Sequence, residues 1–385
     1  MAPINKAAYL DGAKKRPLAV RDAPYTSPGP DQIVVKNFAI ALNPVEAFKQ
    51  ALGNLMYEHV KYPFVMGFDV SGIVVEVGPN VTRFKVGDRV IGLALGMEKH
   101  YNSSAMCGFQ MYTVLQEKMT CPVPQSISLE KAVVLPLGLS TAACSLFQKD
   151  QLGLRHPMVD QAGLDGSGRS DVPTEKEVLV IWGGSTSVGC NAIQLAKAAG
   201  YEVVTTCSPR NFDLVKSLGA TAAYDYRSKS VVEDIVQHHC RDRTVAGAMS
   251  IGDGGAEACV EILGRSSRGK RFLSMVSYPS PPDVDAGIPS RIVFMARWMA
   301  SMTFKTWTKG VRSKFVWGGT LEHNEVGKMI YESFLPLALE RGVLVPAPAP
   351  EVIGNDLGSI QAGLDRLKYG KVSGSKLVVQ LDTEN

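Results

Sequence analysis

The sequence contains no pair of cysteines with the C-x-x-C spacing that is typical of zinc and redox motifs. Its cysteines form an odd and scattered set, at positions 107, 121, 144, 190, 207, 240 and 259. A disulfide framework needs an even set of paired thiols, and a zinc lobe needs clustered ones. We therefore expect reduced thiols, as in cytosolic proteins.

The sequence also lacks a strong charge imbalance and a long apolar run. A net charge of +4 does not favour a nucleic-acid partner, which would require clustered Lys and Arg on one face. The longest charge-free apolar segment, residues 132–147, falls short of the ~20 residues that span a bilayer, and we expect a buried helix there. Residues 1–17 carry lysines and an aspartate where a signal peptide has an apolar core. We expect a cytoplasmic protein without a membrane partner.

Length and composition indicate two globular domains. The chain has 385 residues, which is long for a single hydrophobic core. Hydrophobic residues make up 45% and charged residues 20% of the chain, a balance that is typical of folded proteins and not of disordered ones.

The most informative stretch runs from residue 178 to residue 207. An apolar run leads into Gly183 and Gly184, apolar residues at helical spacing follow, and residues 202–206 form a second β-rich run. Such a strand, turn, helix and strand place backbone N–H groups and the positive end of a helix where a dinucleotide pyrophosphate binds. The predicted cofactor contacts in this turn are Gly184, Ser185, Thr186, Ser187, Val188 and Gly189.

The glycine motif is incomplete, because Thr186 stands where G-x-G-x-x-G has its middle glycine. That glycine normally lets the backbone approach the pyrophosphate. We expect Thr186 either to push the phosphate out slightly or to donate a hydrogen bond to it. The alternative is an ordinary glycine-rich turn between strand and helix, without a ligand.

Periodicity divides the rest of the chain into β-rich and αβ parts. Residues 6–123 consist of short strand-like runs between turn clusters, which predict a partly open β-barrel. Residues 211–276 alternate between helix and strand and predict a doubly wound parallel sheet. The polar residues 152–176 predict a loop, either a disordered linker or a loop that gates the substrate. Later elements are predicted at residues 315–317 (strand), 325–340 and 357–368 (helices) and 376–381 (strand).

Separated motifs along almost the full chain carry a family resemblance. They are ALNPVEAFK at 41–49, VMGFDVSGIVVEVG at 65–78, FKVGDRV at 84–90, LPLGLSTAA at 135–143, WGGSTSVG at 182–189, SPRNFDLVKSLGA at 208–220 and AAYDYR at 222–227. Together they resemble the zinc-free, quinone-oxidoreductase-like branch of the medium-chain dehydrogenase/reductase superfamily. Within it, the chain is most similar to fungal stand-alone enoyl reductases that serve polyketide synthases in trans.

The resemblance implies an α/β fold with two domains. A GroES-like, partly open β-barrel catalytic domain is expected at residues 1–138 and 322–385. A Rossmann domain that binds NADPH through a doubly wound parallel sheet is expected at residues 139–321, inserted into the first.

The resemblance also implies that no metal takes part in catalysis. Zinc-dependent members need a thiolate in the first loop and a His-Glu pair near residue 67, with a further ligand later in the chain. Here the first loop reads Ala41-Leu42-Asn43-Pro44 and the pair is Phe68-Asp69. Because a phenyl ring cannot bind a metal ion, we expect no catalytic zinc.

The residues after the second strand of the motif predict NADPH in preference to NADH. NAD-selective sites place a carboxylate there to accept from the ribose 2′-OH, but this chain has no acidic residue between Glu202 and Asp213. A hydroxyl and a guanidinium suit a 2′-phosphate. Alternatively, Arg210 is a solvated charge at a helix start. The predicted contacts in this part of the site are Ser208, Arg210, Asn211 and Tyr226, the tyrosine by resemblance.

The resemblance points to Lys49, Thr141 and Asn43 as the candidate active-site residues. Lys49 would hold the cofactor or donate to an enolate, and Thr141 would bond the carboxamide of the nicotinamide. Each residue also has a structural alternative. Lys49 would be a solvated loop lysine, Thr141 a helix cap or a hydroxyl within a buried helix, and Asn43 a residue that shapes a turn. The six histidines of the chain are scattered, and we interpret them as structural or solvated.

One segment, residues 286–321, is rich in cations and large apolar residues and has no acidic residue. The residues concerned are Arg291, Arg297, Lys305, Lys309, Arg312 and Lys314, with Phe294, Met295, Trp298, Met299, Met302, Phe304 and Trp307. One interpretation is an acyl pocket with a surface for an acidic acyl carrier domain. The other is a core or dimer interface with a solvated rim.

Three functions remain open at this point. The first is NADPH-dependent reduction of the C=C bond of an acyl thioester in secondary metabolism. The second is the reduction of small free alkenals, enones or quinones. The third is a non-catalytic adaptor or structural role, which a failure to bind NADPH would favour.

Overall fold

The computed structural model describes residues 3–159, 176–281, 283, 286–370 and 372–381. The chain divides into two compact units, the first formed by residues 1–137 and 322–385 and the second by residues 138–321. The sequence-based boundaries were at 138/139 and 321/322. Most of the loop predicted at 152–176 lies outside the described residues.

The strands and helices are numbered here in chain order. The strands are β1 (Asn5–Leu10), β2 (Ala19–Ala23), β3 (Gln32–Ala41), β4 (Phe64–Val65), β5 (Asp69–Val77), β6 (Arg89–Leu93), β7 (Tyr112–Gln116), β8 (Thr120–Pro122), β9 (Val178–Trp182), β10 (Glu202–Cys207), β11 (Ala222–Asp225), β12 (Thr244–Ser250), β13 (Arg268–Gly269), β14 (Phe272–Met275), β15 (Arg312–Phe315), β16 (Ala349–Gly354) and β17 (Ser375–Gln380). The α-helices are α1 (Pro44–Leu52), α2 (Leu129–Ala132), α3 (Pro136–Phe147), α4 (Ser187–Ala198), α5 (Phe212–Ser217), α6 (Val231–Ile235), α7 (Gly255–Arg265), α8 (Ile288–Lys309), α9 (Glu325–Lys328), α10 (Leu335–Glu340) and α11 (Ile360–Lys368).

The first unit is built on a mainly antiparallel sheet. Its strands lie in the order β16-β17-β3-β5-β6-β8, and β7 also pairs with β3. Strands β2, β1 and β4 form a separate three-stranded sheet in that order. The register of β3 against β5 shifts twice, once between Val34 and Val35 and once between Asn37 and Ala39. Such irregularities bend a strand, as a partly closed barrel requires. The predicted barrel is confirmed, and the C-terminal tail supplies two of its strands.

The second unit is a parallel sheet in the order β11-β10-β9-β12-β14-β15, with β13 beside β12. Numbered within the unit and without β13, this is the 3-2-1-4-5-6 order of dinucleotide-binding sheets. Every residue of β9 is buried, which explains its uninterrupted run of apolar residues, because helices cover both faces of such a sheet. The predicted doubly wound fold is confirmed.

The segment between β14 and β15 differs from the prediction. A strand was expected at residues 315–317, but β15 covers Arg312–Phe315 and the residues before it form α8, a helix of 22 residues. Helix α8 begins with a proline in its first turn and ends at Gly310, which has a φ of 62°. Both features are standard helix boundaries. Most of α8 is nevertheless exposed, so the apolar residues in it did not reveal a buried helical face.

One stretch, Leu129–Phe147, is long and apolar enough to cross a bilayer by length and composition alone. Of its most apolar window, 78% is buried inside the protein. Helix α3 lies within this stretch and was expected as a buried helix. Burial of this kind is what a core helix shows.

Candidate cofactor and active site

The glycine turn after β9 is tightly packed against its own surroundings. Gly183 has a φ of 90°, and a Cβ there would lie 2.5 Å from the carbonyl oxygen of Ile251. A Cβ on Gly189 would lie 2.3 Å from the carbonyl oxygen of Gly183. Gly183 and Gly189 are therefore required for the turn itself and for the approach of α4 to β9.

Thr186 caps helix α4. Its Oγ1 accepts a hydrogen bond from the N–H of Gly189 at 3.0 Å and donates one to the carbonyl of Gly183 at 2.8 Å. The single hydroxyl proton of Thr186 is thus used inside the turn. This explains how a threonine replaces the middle glycine, a role that sequence analysis missed. A contact of Thr186 with phosphate stays a prediction.

The ends of β9, β10 and β11 bring the predicted cofactor residues to one edge of the sheet. The strands are parallel neighbours, with Trp182 opposite Thr206 and Cys207 opposite Asp225. The turn at 183–189, the segment after Cys207 and Tyr226 each follow one of these strands directly. Ligands of open parallel sheets bind beyond the carboxyl ends of the strands, so the predicted contacts share the expected position.

Two of the predicted contacts touch each other. The side-chain amide of Asn211 donates to Oγ of Ser185 at 3.1 Å, joining the glycine turn to the segment that follows β10. Asn211 is buried, whereas residues 185–188 of the turn are half-buried. The hydrogen bond fixes the position of the segment that carries Arg210.

Arg210 and Tyr226 are both exposed, Tyr226 to 38%. Within the described part of the chain the guanidinium of Arg210 forms no ion pair, so its charge is available to a ligand or to solvent. The guanidinium of Arg227 lies over the ring of Tyr226, 5.0 Å from its centroid. Arg227 adds a second cation that sequence analysis did not select, although it directly follows Tyr226 in the chain. Ser208 is half-buried in the same segment as Arg210.

The first unit holds a buried polar cluster that includes one predicted residue. We call it the Asn43 cluster and define it as Asn43, Glu46, Asp69 and Lys376, whose exposed fractions are 5%, 0%, 1% and 4%. The side-chain amide of Asn43 donates to Asp69 Oδ2 at 3.0 Å, and Lys376 Nζ donates to Asn43 Oδ1 at 2.6 Å. Lys376 Nζ also lies 2.9 Å from Asp69 Oδ2.

The cluster anchors the start of α1. Glu46 Oε2 accepts from the backbone N–H of Asn43 at 2.7 Å, and Oε1 accepts from the N–H of Phe68 at 3.1 Å. Asp69 Oδ1 accepts from the N–H of Leu137 at 2.6 Å. Asn43 is thus held through its backbone N–H by Glu46 and through both ends of its side-chain amide by Asp69 and Lys376. Its proposed catalytic role stays a prediction, and the contacts agree with the turn-shaping alternative.

Burial controls the protonation of Glu46. Desolvation raises the pKa of Glu46 to about 8, and the neighbouring charge of Asp69 acts in the same direction. The hydrogen bonds from Asn43 lower the pKa, but burial outweighs them. Sequence analysis missed Glu46, Asp69 and Lys376. Only the N-P-x-E pattern at the start of α1 hinted at Glu46, because a glutamate at the third helical position can bond the capping residue.

Lys49 lies in α1 and is completely buried, so the solvated-loop alternative is wrong. Its Nζ donates to the carbonyls of Gly53, Met56 and Tyr57 at 3.2, 2.8 and 3.2 Å. Burial lowers the pKa of Lys49. An ammonium has three protons, and these three bonds use them all. A cofactor or enolate contact would need one of these bonds to be exchanged, and it stays a prediction.

Thr141 belongs to α3 in the second unit and is 9% exposed. It is therefore a hydroxyl within a buried helix, one of the two structural alternatives, and it is not a helix cap. Lys49 and Thr141 lie in different units. The carboxamide contact proposed for Thr141 stays a prediction.

Comparison with known proteins identifies relatives over the whole length. The family described as alcohol dehydrogenase GroES-like domain matches residues 29–125, and the family described as zinc-binding dehydrogenase matches residues 187–278. The chain is 47% identical over 381 residues to the dehydrogenase pigH of Monascus ruber, covering 98% of this chain and 100% of that protein. It is 35% identical over 380 residues to the trans-enoyl reductase himH of Aspergillus japonicus, covering 98% of both.

A solved structure shows the same fold. The crystal structure of CurK enoyl reductase superposes with a TM-score of 0.71 and 18% sequence identity, covering 98% of this chain and 99% of that one. At this identity the likeness concerns the arrangement of the chain and not its chemistry.

The zinc in one family description does not fit the residues of this chain at the catalytic position. Phe68 is buried and offers no ligand atom. The oxygens of Asp69 are occupied by Leu137, Asn43 and Lys376. Leu42, in the first loop, is also a buried hydrocarbon. The residues at this position could not form the three-ligand site of a catalytic zinc.

Proposed function

We propose that this chain, which belongs to the medium-chain dehydrogenase/reductase superfamily, is an NADPH-dependent enoyl reductase of polyketide-type secondary metabolism that works without zinc. As a member of that superfamily it is an oxidoreductase, and the family fold binds a nicotinamide cofactor. The proposal concerns the phosphate on the cofactor, the acceptor and the independence from metal.

The edge formed by β9, β10 and β11 is the observation that supports NADPH. Strands β10 and β11 are directly followed by an exposed guanidinium at Arg210, a second guanidinium at Arg227 and the hydroxyls of Ser208 and Tyr226. The residue that ends β10 is Cys207, where an NAD-selective chain has a carboxylate. Guanidinium groups bind phosphate through charge-assisted, often bidentate hydrogen bonds. We therefore assign the 2′-phosphate to this edge.

The acceptor is proposed from the relatives and from the chemistry that the chain has to support. The trans-enoyl reductase himH shares 35% identity over 98% of both chains. A bound nicotinamide supplies the hydride that adds to the β carbon of an α,β-unsaturated thioester. The protein must then exclude water and offer hydrogen-bond donors to the enolate oxygen, and a proton must reach the α carbon. Lys49 and Thr141 are the donors proposed by resemblance.

The first experiment compares the dissociation constants of NADPH and NADH for the wild type and for Arg210→Gln. We expect the wild type to bind NADPH at least about tenfold more tightly than NADH, because one charge-assisted pair contributes ~1.5–3 kcal/mol. Arg210→Gln should weaken NADPH and leave NADH unchanged. Arg241→Gln, an exposed arginine on another element, is the matched control. Equal affinity of the wild type for both cofactors would refute the assignment of the 2′-phosphate.

The second experiment follows NADPH oxidation with a 2-enoyl thioester and with a small free enone, after dialysis against a zinc chelator. The proposal expects the thioester to be reduced at the C=C bond with a higher kcat/KM, and activity to survive the chelator. A preference for the small enone would favour the general alkenal, enone or quinone reductase. Failure to bind NADPH at all would favour a non-catalytic role.

Helix α8 supports a further part of the proposal, an acyl carrier domain as the source of the substrate. Of the large residues on α8, Met302 is buried, whereas Phe304 is 65% and Trp307 78% exposed. The side chains of Phe304 and Trp307 are therefore not part of the core. The N-terminal half of the helix borders an open groove of about 700 Å³, lined by Pro289, Ser290, Val293, Phe294, Arg297, Trp298 and Ser301. The charge of Arg297 and the lack of acidic residues in the sequence of segment 286–321 favour an acidic partner over a second copy of this basic surface.

Carrier docking is tested with the same acyl group on an acidic carrier domain and on a simple thioester. We expect a lower KM for the carrier-bound form, and Arg297→Glu should remove this advantage without changing kcat/KM for the simple thioester. Arg268→Glu is the control outside the helix. If the two substrates perform equally in the wild type, the surface does not bind a carrier.

A further inference from the structure

Two histidines and a buried glutamate meet in the first unit, outside the residues assigned to the cofactor. They are His100, which lies in the turn after β6, and Glu322 and His323, which lie in the 3₁₀ turn Thr320–His323. One ligand atom of each side chain lies within 4.8 Å of the others. Sequence analysis interpreted these histidines as structural or solvated because the six histidines are scattered along the chain, and 222 positions separate His100 from Glu322.

The two oxygens of Glu322 face different partners. Oε1 accepts a short hydrogen bond from the hydroxyl of Tyr101 and lies 3.2 Å from Lys118 Nζ. Oε2 lies 3.1 Å from His100 Nε2 and 3.9 Å from His323 Nε2. Tyr101 and Lys118 therefore hold the carboxylate in place through one oxygen, and the other oxygen points at two imidazole nitrogens.

This arrangement matches the requirements of a divalent transition-metal site. Ligand atoms about 2.1 Å from a tetrahedral zinc ion lie roughly 3.3 Å from one another. His100 Nε2 and Glu322 Oε2 are already at 3.1 Å. The distance from Oε2 to His323 Nε2, 3.9 Å, needs a small side-chain movement. The His323 side chain is 60% exposed and can rotate, whereas that of Glu322 is 1% exposed and is held.

The burial of the carboxylate distinguishes this cluster from ordinary surface charges. An exposed acidic group gains little from a neighbouring cation, but a buried one needs compensation for its lost hydration. Lys118 compensates part of this charge, and its ammonium is on the side of Oε1. A metal ion at Oε2 would complete the compensation and leave a coordination position for water, since the two imidazoles are 42% and 60% exposed.

We propose that His100, Glu322 and His323 form a binding site for a zinc-class divalent ion, with Tyr101 and Lys118 orienting the carboxylate. Two imidazoles and one carboxylate select Zn²⁺, Co²⁺, Ni²⁺ or Cu²⁺ over Mg²⁺ and Ca²⁺, which prefer oxygen ligands. The site is separate from the catalytic zinc position of the superfamily, where Phe68 stands. A bound ion would fasten the turn at 320–323 to the turn that carries His100.

The site is tested by Co²⁺ and Zn²⁺ titration of tag-free, full-length protein that has been treated with a chelator and then freed from it. The visible absorption of bound Co²⁺ and calorimetry with Zn²⁺ report occupancy directly. We expect one ion per chain, at least tenfold weaker binding for His100→Gln and for His323→Gln, and wild-type binding for His238→Gln.

The proposal can be tested even if the protein tolerates no substitution at the buried Glu322. Glu322→Gln should also lose the ion. This substitution additionally changes the group that bonds Tyr101 and Lys118 through Oε1, and these bonds stabilise the fold. If that variant does not fold, His323→Gln decides alone, because an exposed imidazole can be replaced without disturbing the core. Zn²⁺ should raise the Tm of the wild type and not that of His323→Gln. A wild type that binds no ion, or that binds it as tightly as His323→Gln does, would overturn the proposal.

Discussion

Glu46 shows how burial changes the chemistry of one residue. Its pKa is raised from 4.5 to about 8 in the folded protein. Between these two pH values the folded state carries a proton that the unfolded state lacks. The contribution of Glu46 to the free energy of unfolding is therefore largest below about pH 4.5 and decreases as the pH rises towards 8.

We expect Glu46→Gln to remove this pH dependence. The variant loses at least one hydrogen bond at the start of α1, so it is less stable than the wild type at pH 5. Because glutamine does not titrate, the difference should shrink as the pH rises from 5 to 8, by up to about 1.4 kcal/mol per pH unit. Urea denaturation across this range measures it. A difference that does not vary with pH would show that Glu46 is ionised throughout.

Lys49 raises the question of whether a buried ammonium is structural or catalytic. Lys49→Met keeps the length of the side chain but leaves the carbonyls of Gly53, Met56 and Tyr57 without their donor. We expect a loss of about 2 kcal/mol or more in the free energy of unfolding. Turnover of the folded variant then decides the second question. A lower kcat with an unchanged NADPH dissociation constant would support a contact between Lys49 and the enolate. An unchanged kcat would refute this contact.

At the scale of elements, the turn between β9 and α4 combines close backbone packing with a helix cap, and the sequence motif alone does not show which residue has which role. Gly183 and Gly189 allow close packing of the backbone, and Thr186 caps the helix. The motif G-x-T-x-x-G is thus complete as a structural turn although it is incomplete as a glycine motif. Backbone N–H groups at the start of α4 remain the expected partners of the pyrophosphate.

We expect Thr186→Ala to cost about 1 kcal/mol of stability through the lost helix cap. Thr186→Ser retains the hydroxyl and should restore most of this loss. Denaturation of the cofactor-free protein measures the cap, and NADPH titration of the same variants measures the phosphate contact. If Thr186→Ala is as stable as the wild type, the hydroxyl does not cap the helix in solution.

At the scale of the whole molecule, the thiols are distributed through the cores of both units. All seven cysteines are free and buried. Burial raises the pKa of Cys144 to about 11, and a thiol that stays protonated is a poor nucleophile. The cysteines, which form no paired motif in the sequence, are thus core residues of low reactivity.

A thiol-reactive chromogenic reagent should therefore react slowly with the native protein. In denaturant without reductant it should detect all seven thiols. The result rests on access and on protonation, both of which depend on the intact cores. Detection of fewer thiols in denaturant would indicate a disulfide bond, and rapid reaction of the native protein would indicate an exposed cysteine.

The sequence by itself determined most of the order of elements, the division into two units and the position of the glycine turn, because these depend on short-range periodicity and turn chemistry. It predicted most strands of the parallel sheet, since buried strands leave uninterrupted apolar runs. It did not predict α8, because an exposed helix with large apolar residues lacks a one-sided pattern.

The tertiary structure alone decided which distant polar residues meet. Lys376 reaches Asn43 across 333 positions, and Glu322 reaches His100 across 222. No local pattern records such pairs, because the return of the tail into the first unit creates them. The same holds for the burial that raises the pKa of Glu46, since desolvation depends on what every neighbouring element covers.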